Sequence, residues 1–307
     1  MNKRILFLYT TSAQKAELMR CEAVFKAIFR KFRNSAVFSY MELDLSPSCR
    51  NILSEKLKSA LSHSDATLWH HDENGISPEK AFAQEVQGLY CEENKIVGRC
   101  VFHIPERKTV SFENSTLHYT SVVEADAIGK AVSIAANEAK RRCAPLTLCT
   151  DRKNEADRIF LREAELFLGE IKHLEINHIS LDEFIHQSRE SIPLYDVVLA
   201  TEATAGIVSA HMSSGVKAPT GYTLWHTNGA PIFRREIFPY EEMGCLRLSS
   251  LMLSFAGLLE EAPETKSGGS WLRRCVGLAL ERCPDSKSFP DEVLREIEKP
   301  IRNRQVK

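Results

Sequence analysis

Apolar positions along the chain follow two alternating rhythms. Short strand-like runs occur at RILFLYT (4–10), AVFSYMEL (36–43), ATLWH (66–70), KIVGRCVFHI (95–104), PLTLCT (145–150), LEINHIS (174–180) and YDVVLAT (195–201). Stretches with a helical repeat stand between them. In the first, Leu18, Cys21, Phe25, Ile28, Phe29 and Phe32 fall three and four apart, on one helix face. Further helices are expected at 52–61, 77–90, 123–142, from the corner after residue 150 to near 171, at 181–189 and 203–214, and near 247–262, 270–283 and 290–299. Ser77, Pro78 and Glu79 form a helix-start signature. Residues 105–120 have no helical period and read as an irregular or hairpin-like arm. Alternation of this kind predicts an α/β protein with a mixed, largely parallel central sheet and helices on both faces. In such folds ligands sit at the carboxyl ends of strands.

The totals narrow the function classes. With 43% hydrophobic and 26% charged residues among 307, the composition is that of a soluble globular protein of one large domain or two subdomains. A formal net charge of -1 gives no bulk attraction to nucleic acid or anionic membrane. No run of 18 apolar residues occurs, so no membrane span is expected. The N-terminal MNKRILFLYT reads as a first strand rather than a signal peptide. Nine cysteines at 21, 49, 91, 100, 143, 149, 245, 275 and 283 include no C-x-x-C pair. That odd, scattered set argues for a reducing cytoplasm and for mostly buried thiols.

Candidate chemistry concentrates in LCTDRKNEADRIF (148–160), where a strand stops at Asp151, Arg152, Lys153 and Asn154 before a helix. Two cations at a strand end suit an active-site lip. Equally, Asp151 or Asn154 can cap the helix and leave both cations solvated. Arg152 cannot exchange a proton near neutral pH but can clamp a carboxylate; Lys153 can serve as acid or base. His70, His71 and Asp72 have ligand chemistry, but adjacent strand residues face opposite ways.

Several segments, in order, resemble the isocitrate and isopropylmalate dehydrogenase family. YTSVVEADAIGKAVSIAANEAKRR is similar to that family's tyrosine followed by a helix with a basic end. CTDRKN resembles the corner that carries the catalytic lysine, and SLDEFIHQ the helix start with a metal-binding aspartate. YDVVLATEATAGIVSA resembles the strand and helix bearing two more metal aspartates, and WHTNGAPIF the loop that holds the cofactor's adenosine. The resemblance implies two subdomains, residues 1–98 plus 216–307 on the cofactor side and residues 99–215 as a central, dimer-forming part with a reduced arm at 105–120. It also implies oxidation and decarboxylation of a 2-hydroxy acid with NAD or NADP and Mg²⁺ or Mn²⁺, by a homodimer. His226 and Asn228 would then contact cofactor, and Asp182 with Glu202 would hold metal.

The chain departs from that pattern at four places. Arg152 stands at the lysine position. The two further aspartates are Gly206 and Ala210 in one register, or Ile207 and His211 in the other. AFAQEVQGLYCEENK contains none of the substrate arginines, and TTSAQKAEL replaces a glycine-rich turn. The expectation is therefore a degenerate relative without the metal-dependent activity, acting as a binding, regulatory or structural protein. The alternatives are an NAD(P)-dependent oxidoreductase with an altered site, in which Arg152 clamps a carboxylate and Lys153 acts as acid, and the inactive partner of an active relative in a hetero-oligomer.

Overall fold

In the computed structural model, the first apolar run forms β1 (Asn2–Tyr9), and the amphipathic stretch after it forms α1 (Ser12–Lys31). The structure describes residues 2–43, 50–70, 91–96, 99–113, 116–190, 195–214, 222–226, 232–235, 244–282 and 288–300. The helix expected at 77–90 lies outside them. The chain divides into two compact units, 1–87 with 218–223 and 229–307, and 88–217 with 224–228.

In the first unit β1 and α1 lead into β2 (Ser35–Glu42), α2 (Arg50–Ser62) and β3 (Ala66–Trp69). The chain then builds the second unit: an antiparallel pair β4 (Cys91–Ile96) and β5 (Arg99–Ile104), then the separate hairpin β6 (Arg107–Glu113) and β7 (Thr116–Val122). After it come α3 (Ala125–Arg142), β8 (Leu146–Thr150), α4 (Glu155–Leu168) and β9 (Ile176–Ser180). Next are α5 (Leu181–Glu190), β10 (Val197–Thr201), α6 (Glu202–Ser214) and β11 (Tyr222–His226). The first unit closes with β12 (Ile232–Arg235), α7 (Gly244–Glu260), α8 (Lys266–Arg282) and α9 (Phe289–Glu298).

The strands of the first unit lie in the order β2-β1-β3-β12, and every pairing is parallel. β3 is buried at all four positions, as a central parallel strand must be, whereas edge strand β2 alternates exposed and half-buried residues. Its core is aromatic. Phe7 stacks on Phe25 at 5.7 Å between ring centroids, and Phe25 stacks on Phe255 of α7 at 3.9 Å. The helix α8 crosses α7 so closely at Gly269 that a Cβ there would lie 2.5 Å from the Ala256 carbonyl oxygen.

α9 is held through Glu296, whose side chain is 4% exposed and accepts from Lys299 Nζ at 2.5 Å and from Arg282 Nη1. The hydrogen bond from Lys299, followed by the charge of Arg282, holds this carboxyl below the usual glutamate range. A depressed folded-state value contributes stability above the unfolded value, about 4.3, that is lost as pH falls through the folded one. Glu296→Gln is expected to lower the melting temperature at neutral pH and to flatten its fall below pH ~4.3. Melting curves of both proteins across the acid range check this; parallel curves would refute it.

The second unit has strand order β11-β4-β5-β10-β8-β9, parallel from β5 onward. Both faces are covered. The small side chains Ala131, Ala135 and Ala139 bring α3 close against Leu146, Leu148 and Leu199, with Phe160 of α4 beside them. On the opposite face Phe184 of α5 and Val208 of α6 pack on Val101 and Val198. The expected strand 95–104 is instead the antiparallel pair β4 and β5; Gly98, inside that run, is the sequence signal for a break. The 105–120 arm takes the hairpin alternative, and Phe112 on it is 71% exposed. WHTNGAPIF, read as a loop, contains the end of β11 and the start of β12.

The six cysteines whose side chains are described are free thiols, five of them buried and Cys143 exposed. Among the described residues no helix is long and apolar enough to cross a membrane.

Candidate functional site

The charged corner lies at the carboxyl end of β8. Its shape is set by three acceptors. Asn154 caps α4, its Oδ1 accepting from the Ala156 N–H at 3.1 Å. Asp151 Oδ1 accepts from the Lys153 N–H at 2.9 Å, a turn closed by an aspartate on its own backbone. The third acceptor is Asp157, which is 0% exposed. Its Oδ2 accepts from the Asp151 N–H at 2.6 Å and from Thr204 Oγ1 at 2.7 Å. Its Oδ1 accepts from Asn154 Nδ2 at 3.3 Å and from Thr201 Oγ1. One buried carboxylate therefore ties the ends of β8 and β10 to the first turns of α4 and α6. It sits in the first turn of α4, where the helix dipole also favours negative charge. The residue reading passed over Asp157. The available signals were its place three residues after the Asn154 cap and the Thr201/Thr204 spacing of one helical turn.

The two cations lie outside this knot. The Arg152 side chain is 80% exposed, and its Nη2 lies 4.0 Å from Glu183 Oε1. Lys153 is exposed, and its side chain has no hydrogen-bond or ion-pair partner among the described residues. Arg152 lines a cleft of about 300 Å³ at the carboxyl ends of β8 and β9 with Arg158, Leu161, His178 and Ser180, and three carboxylates, Asp151, Asp157 and Glu183, share its wall. The arginines offer fixed positive charge there and no proton exchange near neutral pH.

Neither metal candidate belongs to a group of three or more clustered ligand-type side chains among the described residues. Asp182 is exposed in the first turn of α5. It does not cap that helix. Ser180 does, its Oγ accepting from the Glu183 N–H at 3.3 Å while Glu183 Oε2 accepts from the Ser180 N–H at 3.0 Å. The Ser180 hydroxyl and N–H, then the charge of Arg152, hold the Glu183 carboxyl below the usual range. Glu202 Oε2 accepts from the Glu106 N–H at 3.0 Å, and Glu106 Oε1 from the Ala203 N–H at 3.4 Å. Of the positions where the two further carboxylates would stand, Gly206, Ile207 and Ala210 are exposed, and His211 is half-buried with its ring 6.3 Å from that of Phe184. A hard cation needs several oxygen ligands, and this set does not supply them. Among the described residues Glu93, Cys100 and Glu138 are the group of three ligand-type side chains within 4.8 Å. Arg142 already occupies it, with Nη2 2.9 Å from Cys100 Sγ and Nε 2.6 Å from Glu138 Oε1.

The cofactor candidates are also engaged. His226 Nε2 lies 2.9 Å from Oε2 of Glu93, a carboxylate only 4% exposed. Asn228 lies outside the described residues. In the first unit the turn from β1 to α1 is closed by Gln14, 1% exposed. Gln14 Oε1 accepts from the Thr10 N–H at 2.7 Å, the Thr10 hydroxyl at 2.9 Å and the Thr11 N–H at 3.3 Å. Thr11 caps α1 in return, accepting from the Gln14 N–H. The backbone N–H groups of Thr10 and Thr11 are thus met from within the turn. His70, 0% exposed, lies 2.6 Å from Glu17 Oε2, which Arg247 also approaches; His71 and Asp72 lie outside the described residues.

No protein-family model matches the chain, and no curated protein matches it by sequence. Solved structures do. A β-decarboxylating dehydrogenase from Thermococcus kodakarensis is 16% identical with a TM-score of 0.73, covering 96% of each chain. A protein from Thermus thermophilus is 14% identical with a TM-score of 0.78, over 100% of this chain and 70% of that one. Isocitrate dehydrogenase from Methylococcus capsulatus is 10% identical with a TM-score of 0.72, over 97% of this chain and 100% of that one. What is shared at such identities is architecture: the chain has the isocitrate/isopropylmalate dehydrogenase-like fold.

Proposed function

We propose that this chain is a degenerate relative of the decarboxylating dehydrogenases, without their metal-dependent reaction, and works by binding. The supporting observation is the corner at 151–157. Its carboxylates are engaged as caps and anchors, and its cations are solvated rather than aimed at a metal-bound substrate. The proton donor's place is held by Arg152, which has no proton to give near neutral pH. The residue set offers Mg²⁺ or Mn²⁺ one loosely placed carboxylate, Asp182, and one already bonded to backbone, Glu202. The cleft, with arginines and carboxylates on one wall, would take a small molecule or a partner segment that carries charges of both signs.

A homodimer is part of this reading, supported by the β6–β7 hairpin, which stands apart from the main sheet and carries exposed Phe112. A two-stranded hairpin is marginal in water without cover.

The second reading keeps an oxidoreductase, with Arg152 clamping a carboxylate, Lys153 as acid and Asp182 with Glu202 on metal. The experiment is calorimetric titration of the intact protein with NAD⁺, NADP⁺ and Mn²⁺, a screen of 2-hydroxy acids for NAD(P)H formation, and sedimentation. The expected outcome is a dimer that forms no NAD(P)H with any hydroxy acid. Saturable cofactor binding with NAD(P)H production would establish the second reading instead. Copurification with an active relative would make the chain the silent half of a hetero-oligomer.

A further inference from the structure

A second concavity, of about 240 Å³, lies in the first unit between α8 and α9, with walls from Trp271, Arg274, Cys275, Leu278 and Lys299. Its chemistry is lopsided. Among the described residues Glu296 is the one carboxylate on its wall, and Lys299 and Arg282 already bond it. Lys31 adds a fourth cation nearby, donating to the Lys299 carbonyl at 2.6 Å. Arg274 is left over. Among the described residues no carboxylate pairs with it, and its guanidinium carbon lies 5.6 Å from the centroid of the Trp271 ring. That stacking holds the guanidinium in place while leaving its N–H groups unanswered. The Trp271 Nε1–H is buried and has no acceptor among the described residues. The remaining walls, Leu278 and the Cys275 thiol, are apolar. Burial, then the charge of Glu296, pushes that thiol up to about 12, so it stays protonated and serves as a wall rather than a nucleophile.

We infer that this groove is a binding site for a small ligand carrying an anionic group on a planar apolar ring. The anion pairs with Arg274 and the ring lies along Leu278 and the indole. A carboxylate and a phosphate share this chemistry, and the groove's size suits a single ring. The groove is independent of the corner at 151–157 and of whether the chain oxidises anything.

The test uses the intact protein, titrated with phenyl phosphate, benzoate and, as the neutral control, phenol, followed by tryptophan fluorescence and calorimetry. Trp69 and Trp225 are 0% and 1% exposed, so a change in emission reports on half-buried Trp271. Saturable binding of at least one of the two anions is expected, with phenol not binding; which anion binds more tightly separates a phosphate site from a carboxylate site. Arg274→Gln should weaken binding roughly tenfold or more, as loss of a charge-assisted hydrogen bond does, and Arg274→Lys should keep part of it. Trp271→Phe should abolish the fluorescence change while calorimetry still detects weaker binding. Unchanged melting temperatures would show that the variants fold. The inference is overturned if neither anion saturates, or if folded Arg274→Gln binds as tightly as the native chain.

Discussion

Replacing Asp157 with alanine is expected to destabilise the second unit by about 3 kcal/mol or more, enough to shift a urea midpoint plainly. The substitution strands the Asp151 N–H, the Asn154 side-chain amide and two threonine hydroxyls. Threonine hydroxyls can turn toward other acceptors, but a backbone N–H cannot. Asp157→Asn should recover part of the loss, since one oxygen remains to accept while the amide offers hydrogens to hydroxyls that can accept in turn. By contrast, Arg152→Ala and Lys153→Ala should stay within about 0.5 kcal/mol of the native chain, as exposed positions do. A midpoint for Asp157→Ala equal to those two would show that the knot does not hold the corner.

The second large effect is expected at Gly269. Alanine is the better helix former by about 1 kcal/mol, so propensity alone favours Gly269→Ala. The added Cβ, however, would stand 2.5 Å from the Ala256 carbonyl oxygen and 2.6 Å from Glu260 Cγ. The first contact is backbone, and it can be relieved only by moving α7 and α8 apart. Overpacking of that kind typically costs about 1–3 kcal/mol, and a backbone obstacle puts this case at the upper end, about 2 kcal/mol net. Gly277 on the same helix is the internal control, since nothing lies within 4 Å of its virtual Cβ. Gly277→Ala should therefore stabilise by up to about 1 kcal/mol. Equal melting temperatures for the two variants would refute the close crossing.

Most of the fold was legible because the signals are periodic. The apolar face of α1 and the wholly buried β3 and β10 each announce one element type. What escaped was local and had no period. The apolar run 95–104 hid an antiparallel pair at a glycine. A loop-like WHTNGAPIF hid a strand end and a strand start, because pairing partners far along the chain decide such short strands. At the candidate site, attention to charge found Arg152, Lys153, Asp182 and Glu202, all of them exposed. The residue that organises the corner, Asp157, is buried and bonded to neutral groups, and only the fold brings Thr201 and Thr204 to it. The same holds for His226, whose partner Glu93 is 133 residues away.

The turn from β1 to α1 bears on how such a chain changes over time. Gln14 closes that turn and is itself capped by Thr11, so the two residues depend on each other. Inserting a glycine there while Gln14 remains leaves the donors covered. Removing Gln14 first leaves two backbone N–H groups and a hydroxyl bare. A change at Gln14 alone therefore uncovers these donors and weakens the start of α1 in the same step. Two polar side chains that complete each other in this way are tolerated only as a pair, so substitution at one constrains what can stand at the other.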